Sequence, residues 1–200
     1  MSFSSDFLKK SSQVLEQLDP NSIESAARLL SELRKSEGRL FVVGSGGGAG
    51  HASHATSDFR KLCNIEAYAP YDNVPELTAR VNDEGWNSTL VDWLKVSKMK
   101  ARDCLIVFSV GGGSKEKNIS ANLVNAVLYA QETGAAVIGI VGKNGGATAK
   151  AATVTILIPE IDENLVTPLT ESIQSVVWHA LAFHPVLQAN KAKWESEVKL

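Results

Sequence analysis

The sequence predicts an α/β fold built on a parallel sheet with both faces covered. Two observations carry this. Four short runs, Leu40–Val43, Cys104–Phe108, Ala136–Val141 and Val154–Ile158, are almost continuously apolar, which suits strands buried on both sides. Helical patterns at residues 50–62, 87–99, 118–132 and 146–151 separate them, and strands alternating with helices argue for crossover units and a parallel sheet.

Two helices precede the first strand. Phe7, Leu8, Val14, Leu15 and Leu18 recur at helical spacing over residues 6–18, with Asp6 near the start. Pro20 suits the first turn of a second helix, whose stripe is Ile23, Ala26, Leu29, Leu30 and Leu33 and which Gly38 ends. This pair forms a helical extension over residues 1–37 that packs on the core or on a partner subunit. After the first strand, Ile65–Tyr68 is the candidate for a further short strand. The last long pattern runs from Thr167 to about Gln188; Pro168 fits its first turn, and Pro185 kinks or ends it.

The chain has 200 residues, 44% of them hydrophobic and 21% charged, which fits one domain over residues 1–200 of ordinary globular composition. A net charge of −2 gives no basic surface for nucleic acid. No run approaches the ~20 apolar residues of a membrane span, and no secretory signal is visible. Cys63 and Cys104 are the only cysteines and read as reduced thiols of a cytoplasmic protein.

Two loops carry the chemistry. Gly44-Ser45-Gly46-Gly47-Gly48 and Ser109-Val110-Gly111-Gly112-Gly113-Ser114 each follow an apolar strand and precede a helix. Glycine lets backbone amides approach an anion closely, and the helix N-terminus that follows adds free N–H groups and partial positive charge. Ser45, Ser109 and Ser114 add hydroxyls. Neither loop is a strict dinucleotide fingerprint: Ala49 takes the last glycine place, and Glu66 follows no convincing strand. A nucleotide-binding domain is therefore the weakest reading.

Beyond the first loop, His54 and Asp58 are four apart and share a helix face, with His51 on roughly the same side. Glu171 and His179 are eight apart on the C-terminal helix, about 12 Å along its axis. Histidines with carboxylates suit a divalent metal or acid–base work; an exposed ion pair and a core histidine are the plainer alternative.

These residues resemble the sugar isomerase (SIS) domain family, specifically its sedoheptulose-7-phosphate (phosphoheptose) isomerases, over nearly the whole chain. The family's Gly-Asn-Gly-Gly-Ser loop corresponds to Gly44–Gly48, its following His and Glu to His54 and Asp58, its Asn-Asp pair to Asn82-Asp83, and its Ser-Thr-Ser-Gly-Asn-Ser to Ser109–Ser114. Its Gly-Lys-Asp-Gly-Gly corresponds to Gly142–Gly146, and its C-terminal Gln and His to Glu171 and His179.

The resemblance implies a three-layer, flavodoxin-like α-β-α sandwich with a five-stranded parallel sheet, assembled as a homotetramer with sites at subunit interfaces. It implies acid–base catalysis by Asp58 and His179. It implies zinc held by His54, Asp58, Glu171 and His179. The phosphorylated sugar would be bound by Ser45, Gly46, Gly47, Asn82, Asp83, Ser109, Gly112 and Ser114. The chain departs from the family at Asp58, one methylene shorter than Glu, and at Val110 and Gly111, where two hydroxyls are lost. Those departures favour the alternative, a non-catalytic SIS protein that binds a sugar phosphate or acts as an adaptor of the replication-initiator-associating type.

Overall fold

The computed structural model describes residues 2–197. The elements in chain order are α1 (Phe3–Gln17), α2 (Pro20–Lys35), β1 (Leu40–Gly44), α3 (Gly47–Cys63), β2 (Ala67–Tyr68), a 3₁₀ turn (Pro70–Asp72), α4 (Val74–Asp83) and α5 (Thr89–Val96). They continue with β3 (Cys104–Ser109), α6 (Ala121–Glu132), β4 (Ala136–Val141), α7 (Gly146–Ala151), β5 (Val154–Leu157), α8 (Val166–Ala182) and α9 (Lys193–Glu197). The five strands form one sheet in the order β2-β1-β3-β4-β5, with every pairing parallel. Ile65-Glu66 fall outside the short edge strand, which is Ala67–Tyr68 alone.

Alternation along each strand builds two cores. Leu40, Val42, Cys104, Ile106, Phe108, Ile138 and Ile140 face one layer. Phe41, Val43, Leu105, Val107 and Val137 face the other. The first layer receives α1, α2, α3 and α8, through residues such as Val14, Leu30, Phe59 and Val177. The second receives α5 and α6 through Leu90, Trp93, Leu94, Leu123 and Val127. Both faces being dry, the strands need no polar residues, which is why they read as continuous apolar runs. Cys63 and Cys104 are free and buried; burial pushes the Cys63 thiol up to about 11 and raises Cys104 as well.

Several bounds differ from the sequence expectation, and one helix was not expected. Helix α3 begins at Gly47 rather than at residue 50, so glycines taken for loop form its first turn. The C-terminal helix stops at Ala182, well short of Gln188, because Pro185 disfavours helical backbone at His184. Helix α4, which the sequence reading left out, buries none of its residues; it is held at its start by the Asn73 cap, whose side chain accepts from Glu76 N–H, and along its length by Arg80 against Glu76 and Glu84.

Candidate active site

The strand order reverses direction between β1 and β3, and in open parallel sheets ligands bind at the carboxyl ends of the strands at such a point. A cavity of about 220 Å³ lies there. Ser45, Ser109, Ile119, Ser120, Glu171 and Gln174 are among its lining residues.

The first loop is fixed from below. Tyr71 reaches Gly44, the last residue of β1: its hydroxyl accepts from Gly44 N–H and donates to Gly44 O. Burial pushes the Tyr71 phenol up to about 12, so it stays a neutral donor. Tyr71→Phe leaves both Gly44 groups without this partner. We expect it to cost about 1–3 kcal/mol of stability, measured by urea unfolding, and to weaken ligand binding to the loop above.

Two serines present their hydroxyl hydrogens. Ser45 Oγ accepts from Asn122 Nδ2 at 3.1 Å, and Ser109 Oγ accepts from Gly112 N–H at 3.0 Å. Each hydroxyl accepts one bond and keeps its own proton to donate, and both residues line the cavity. Ser120 caps α6 without a hydrogen bond from its side chain to that helix. The N-termini of α3 and α6 add free N–H groups and positive partial charge.

The second loop corrects two expectations. Ser114 does not line the cavity: it pairs with Ile119 in a narrow turn, exchanging both backbone hydrogen bonds, and its hydroxyl accepts from Lys117 N–H. The chain doubles back over residues 114–119, and Ser120 takes the place expected of Ser114. Gly112 is likewise not free to bind an anion. Its N–H is taken by Ser109, and its carbonyl accepts from Thr148 N–H and Thr148 Oγ1. Its φ of +69° and the Gly145 oxygen, 1.7 Å from where a Cβ would stand, make it a packing glycine against α7.

Helices α3 and α8 pack along one seam, and this seam gathers His54, Asp58 and His179, each offering a ligand atom within 4.8 Å of the others. Asp58 Oδ2 lies 3.7 Å from His54 Nε2 and 3.5 Å from His179 Nε2. Trp178 Nε1 donates to the same oxygen at 3.3 Å. His179 Nδ1 faces Ser175 O at 2.7 Å, which sets the tautomer that leaves Nε2 free as a ligand or base.

Glu171 is not part of this trio. It sits about two turns earlier on α8, with its carboxylate against Gly47: a Cβ there would stand 2.6 Å from the carboxyl carbon. The four residues expected to hold zinc thus divide into three that meet and one that stands apart at the cavity. His51, beside Glu171, packs on Trp178 and Phe108. Its Nε2 is buried without a partner among the described residues, and burial lowers its pKa despite the nearby Glu171 charge.

Gly46 and Gly47 stand at the α3 N-terminus as expected, Gly46 with φ of +58°. Asn82 and Asp83 do not reach the cavity. They end α4, exposed, with Asn82 Nδ2 donating to Asp83 Oδ1. Sequence reasoning missed Asn122, fully buried, and Gln174, 1% exposed. Gln174 Nε2 donates to Ile140 O and Ser109 O, tying the ends of β3 and β4. The one available signal was polar residues interrupting otherwise apolar helix faces.

Fold and site together define a flavodoxin-like α/β sandwich with a serine-lined cavity at its switch point. The SIS domain family description matches residues 5–142, and the chain belongs to that family. It is 34% identical over 186 residues to the lincomycin biosynthesis protein LmbN of Streptomyces lincolnensis, covering 88% of this chain and 66% of that protein, just under two thirds of its length. It is 31% identical over 170 residues to the phosphoheptose isomerase of Alkalilimnicola ehrlichii, covering 82% of this chain and 79% of the relative. The structure of phosphoheptose isomerase from Neisseria gonorrhoeae shares the fold with a TM-score of 0.78 at 22% identity, covering 90% of this chain and 94% of that one.

Proposed function

We propose that the protein is a phosphosugar aldose–ketose isomerase, most like sedoheptulose 7-phosphate isomerase. The observation that carries this is the cavity beside two helix N-termini, lined by Ser45 and Ser109, each of which keeps a hydroxyl proton to donate. That is a site for a phosphate. The similarity to a phosphoheptose isomerase over 79% of its length supports the choice of sugar. The phosphate rests on Ser109, Ser120 and the start of α6, with Ser45 across the cavity.

His54, Asp58 and His179 fit a zinc ion: two imidazoles and a carboxylate are a common catalytic set with an open fourth position. When bound there, zinc polarises a carbonyl oxygen. In the family-derived assignment Asp58 and His179 carry protons. His179, its Nδ1 committed to Ser175, has Nε2 alone to offer: it would be a ligand with zinc bound and would serve a substrate oxygen without it.

The assembly is a cytoplasmic homotetramer. Exposed Phe3, Leu8 and Leu15 on α1, and Val74 and Val81 on α4, give it apolar faces to bury, and Asn82-Asp83 would then serve the site of another subunit. Among the described residues, no helix is long and apolar enough to cross a membrane.

Incubation with sedoheptulose 7-phosphate and a panel of hexose and pentose phosphates, followed by NMR, tests the reading; aldose appearing from ketose supports it. Ser109→Ala and Ser120→Ala are each expected to raise KM roughly 10-fold or more, since a hydrogen bond to a charged group contributes about 1.5–3 kcal/mol. The missing hydroxyls at Val110 and Gly111 favour a second reading, a sugar-phosphate-binding or adaptor protein without turnover. Partner capture unchanged by Asp58→Ala and His179→Ala, with no isomerisation, would select it.

A further inference from the structure

We infer that Glu171, rather than Asp58, is the base that removes the substrate's carbon-bound proton, an assignment that rests on the phosphosugar-isomerase reading. Among the described residues, Glu171 is the only ionisable side chain lining the cavity. Asp58 is absent from that lining. Its Oδ2 is shared among Trp178 Nε1, His54 and His179, so it is already committed to a cation or to two imidazoles.

Its position is built rather than incidental. The carboxylate fills the space that a side chain at Gly47 would take, with the carboxyl carbon and both oxygens within 2.6–2.7 Å of the absent Cβ. Behind it, His51 packs against Phe108 and Trp178. This fixes the ligand's direction. A carboxylate at the start of α3 repels a second anion there, so the phosphate moves toward Ser109, Ser120 and the start of α6. The uncharged carbon chain is then the part that faces Glu171.

The step balances without a co-reactant. For a ketose, the carboxylate takes a proton from C1; the C1–H pair becomes the C1–C2 double bond and the carbonyl pair moves to O2. The resulting carboxylic acid returns a proton to C2, and the O1 hydroxyl proton passes to O2, leaving the aldose.

The test follows deuterium entering sedoheptulose 7-phosphate in D₂O, with binding of the same sugar measured separately by calorimetry. Glu171→Gln is expected to bind within about threefold of wild type and to lose exchange on the order of 10²–10⁴-fold, the usual worth of a general base. Gly47→Ala, which displaces the carboxylate without removing it, is expected to slow exchange on the order of 100-fold. Exchange within tenfold of wild type in either variant overturns the assignment and leaves the isomerase reading standing. A wild-type protein that binds the sugar but exchanges nothing overturns both.

Discussion

Asp103→Ala is expected to lower the unfolding free energy by about 3 kcal/mol, because it takes the acceptor from a half-buried guanidinium and from two backbone N–H groups. Asp103 is 1% exposed and precedes β3. Its Oδ2 accepts from Arg39 Nη2 at 2.7 Å and from Lys100 N–H at 2.8 Å. Its Oδ1 accepts from Arg39 N–H at 2.9 Å. Arg39 also donates to Ser97 O and Lys98 O, so one guanidinium and one carboxylate clamp the starts of β1 and β3 to the end of α5.

Burial by itself would raise the Asp103 pKa, but the Arg39 side-chain bond and the two backbone N–H groups outweigh it, and the net shift is downward. The sign follows: a folded pKa below the unfolded value of about 3.9 contributes stability that is complete above that value and is lost as pH falls through the folded pKa. Urea midpoints between pH 7 and pH 3 check this. Wild type should lose stability at the acid end of that range, and Asp103→Asn should lose less of it.

Asp58→Ala is expected to release zinc and to abolish turnover. Asp58 is the central member of the seam trio, within reach of both imidazoles. Removing a ligand should weaken metal binding by more than the roughly 10–100-fold that changes around a ligand usually cost. Mass spectrometry of protein purified without chelators or a His-tag provides the measurement. We expect zinc near one per chain in wild type and a small fraction of that in Asp58→Ala; equal zinc in both would remove the trio from the account.

The sheet was legible because physics leaves strands of a doubly covered sheet few choices: Phe41, Val43, Ile106 and Ile138 must all be apolar when both faces are dry. Helix α4 was not, because a helix that buries nothing has no stripe to read. The trio His54, Asp58 and His179 could be named from spacing and family likeness, but its meeting required the α3–α8 seam. The split of Glu171 from that trio lay in a glycine: nothing in the sequence says that the missing side chain of Gly47 makes room for a carboxylate. Ser114 was named and Ser120 was not, because the chain doubles back between them, which only the pairing of Ser114 with Ile119 reveals. Asn122 and Gln174 sit inside helices with no motif around them, and burial alone marks them.

In the proposed function, this cavity holds a sugar phosphate and a proton moves between the sugar's first two carbons. Sedoheptulose 7-phosphate recovered from D₂O after incubation with the wild-type protein tests it most directly. Deuterium at C1 is expected, accumulating with enzyme concentration and suppressed by inorganic phosphate competing for Ser109 and Ser120. Tight binding of the sugar with no deuterium at C1 would contradict it.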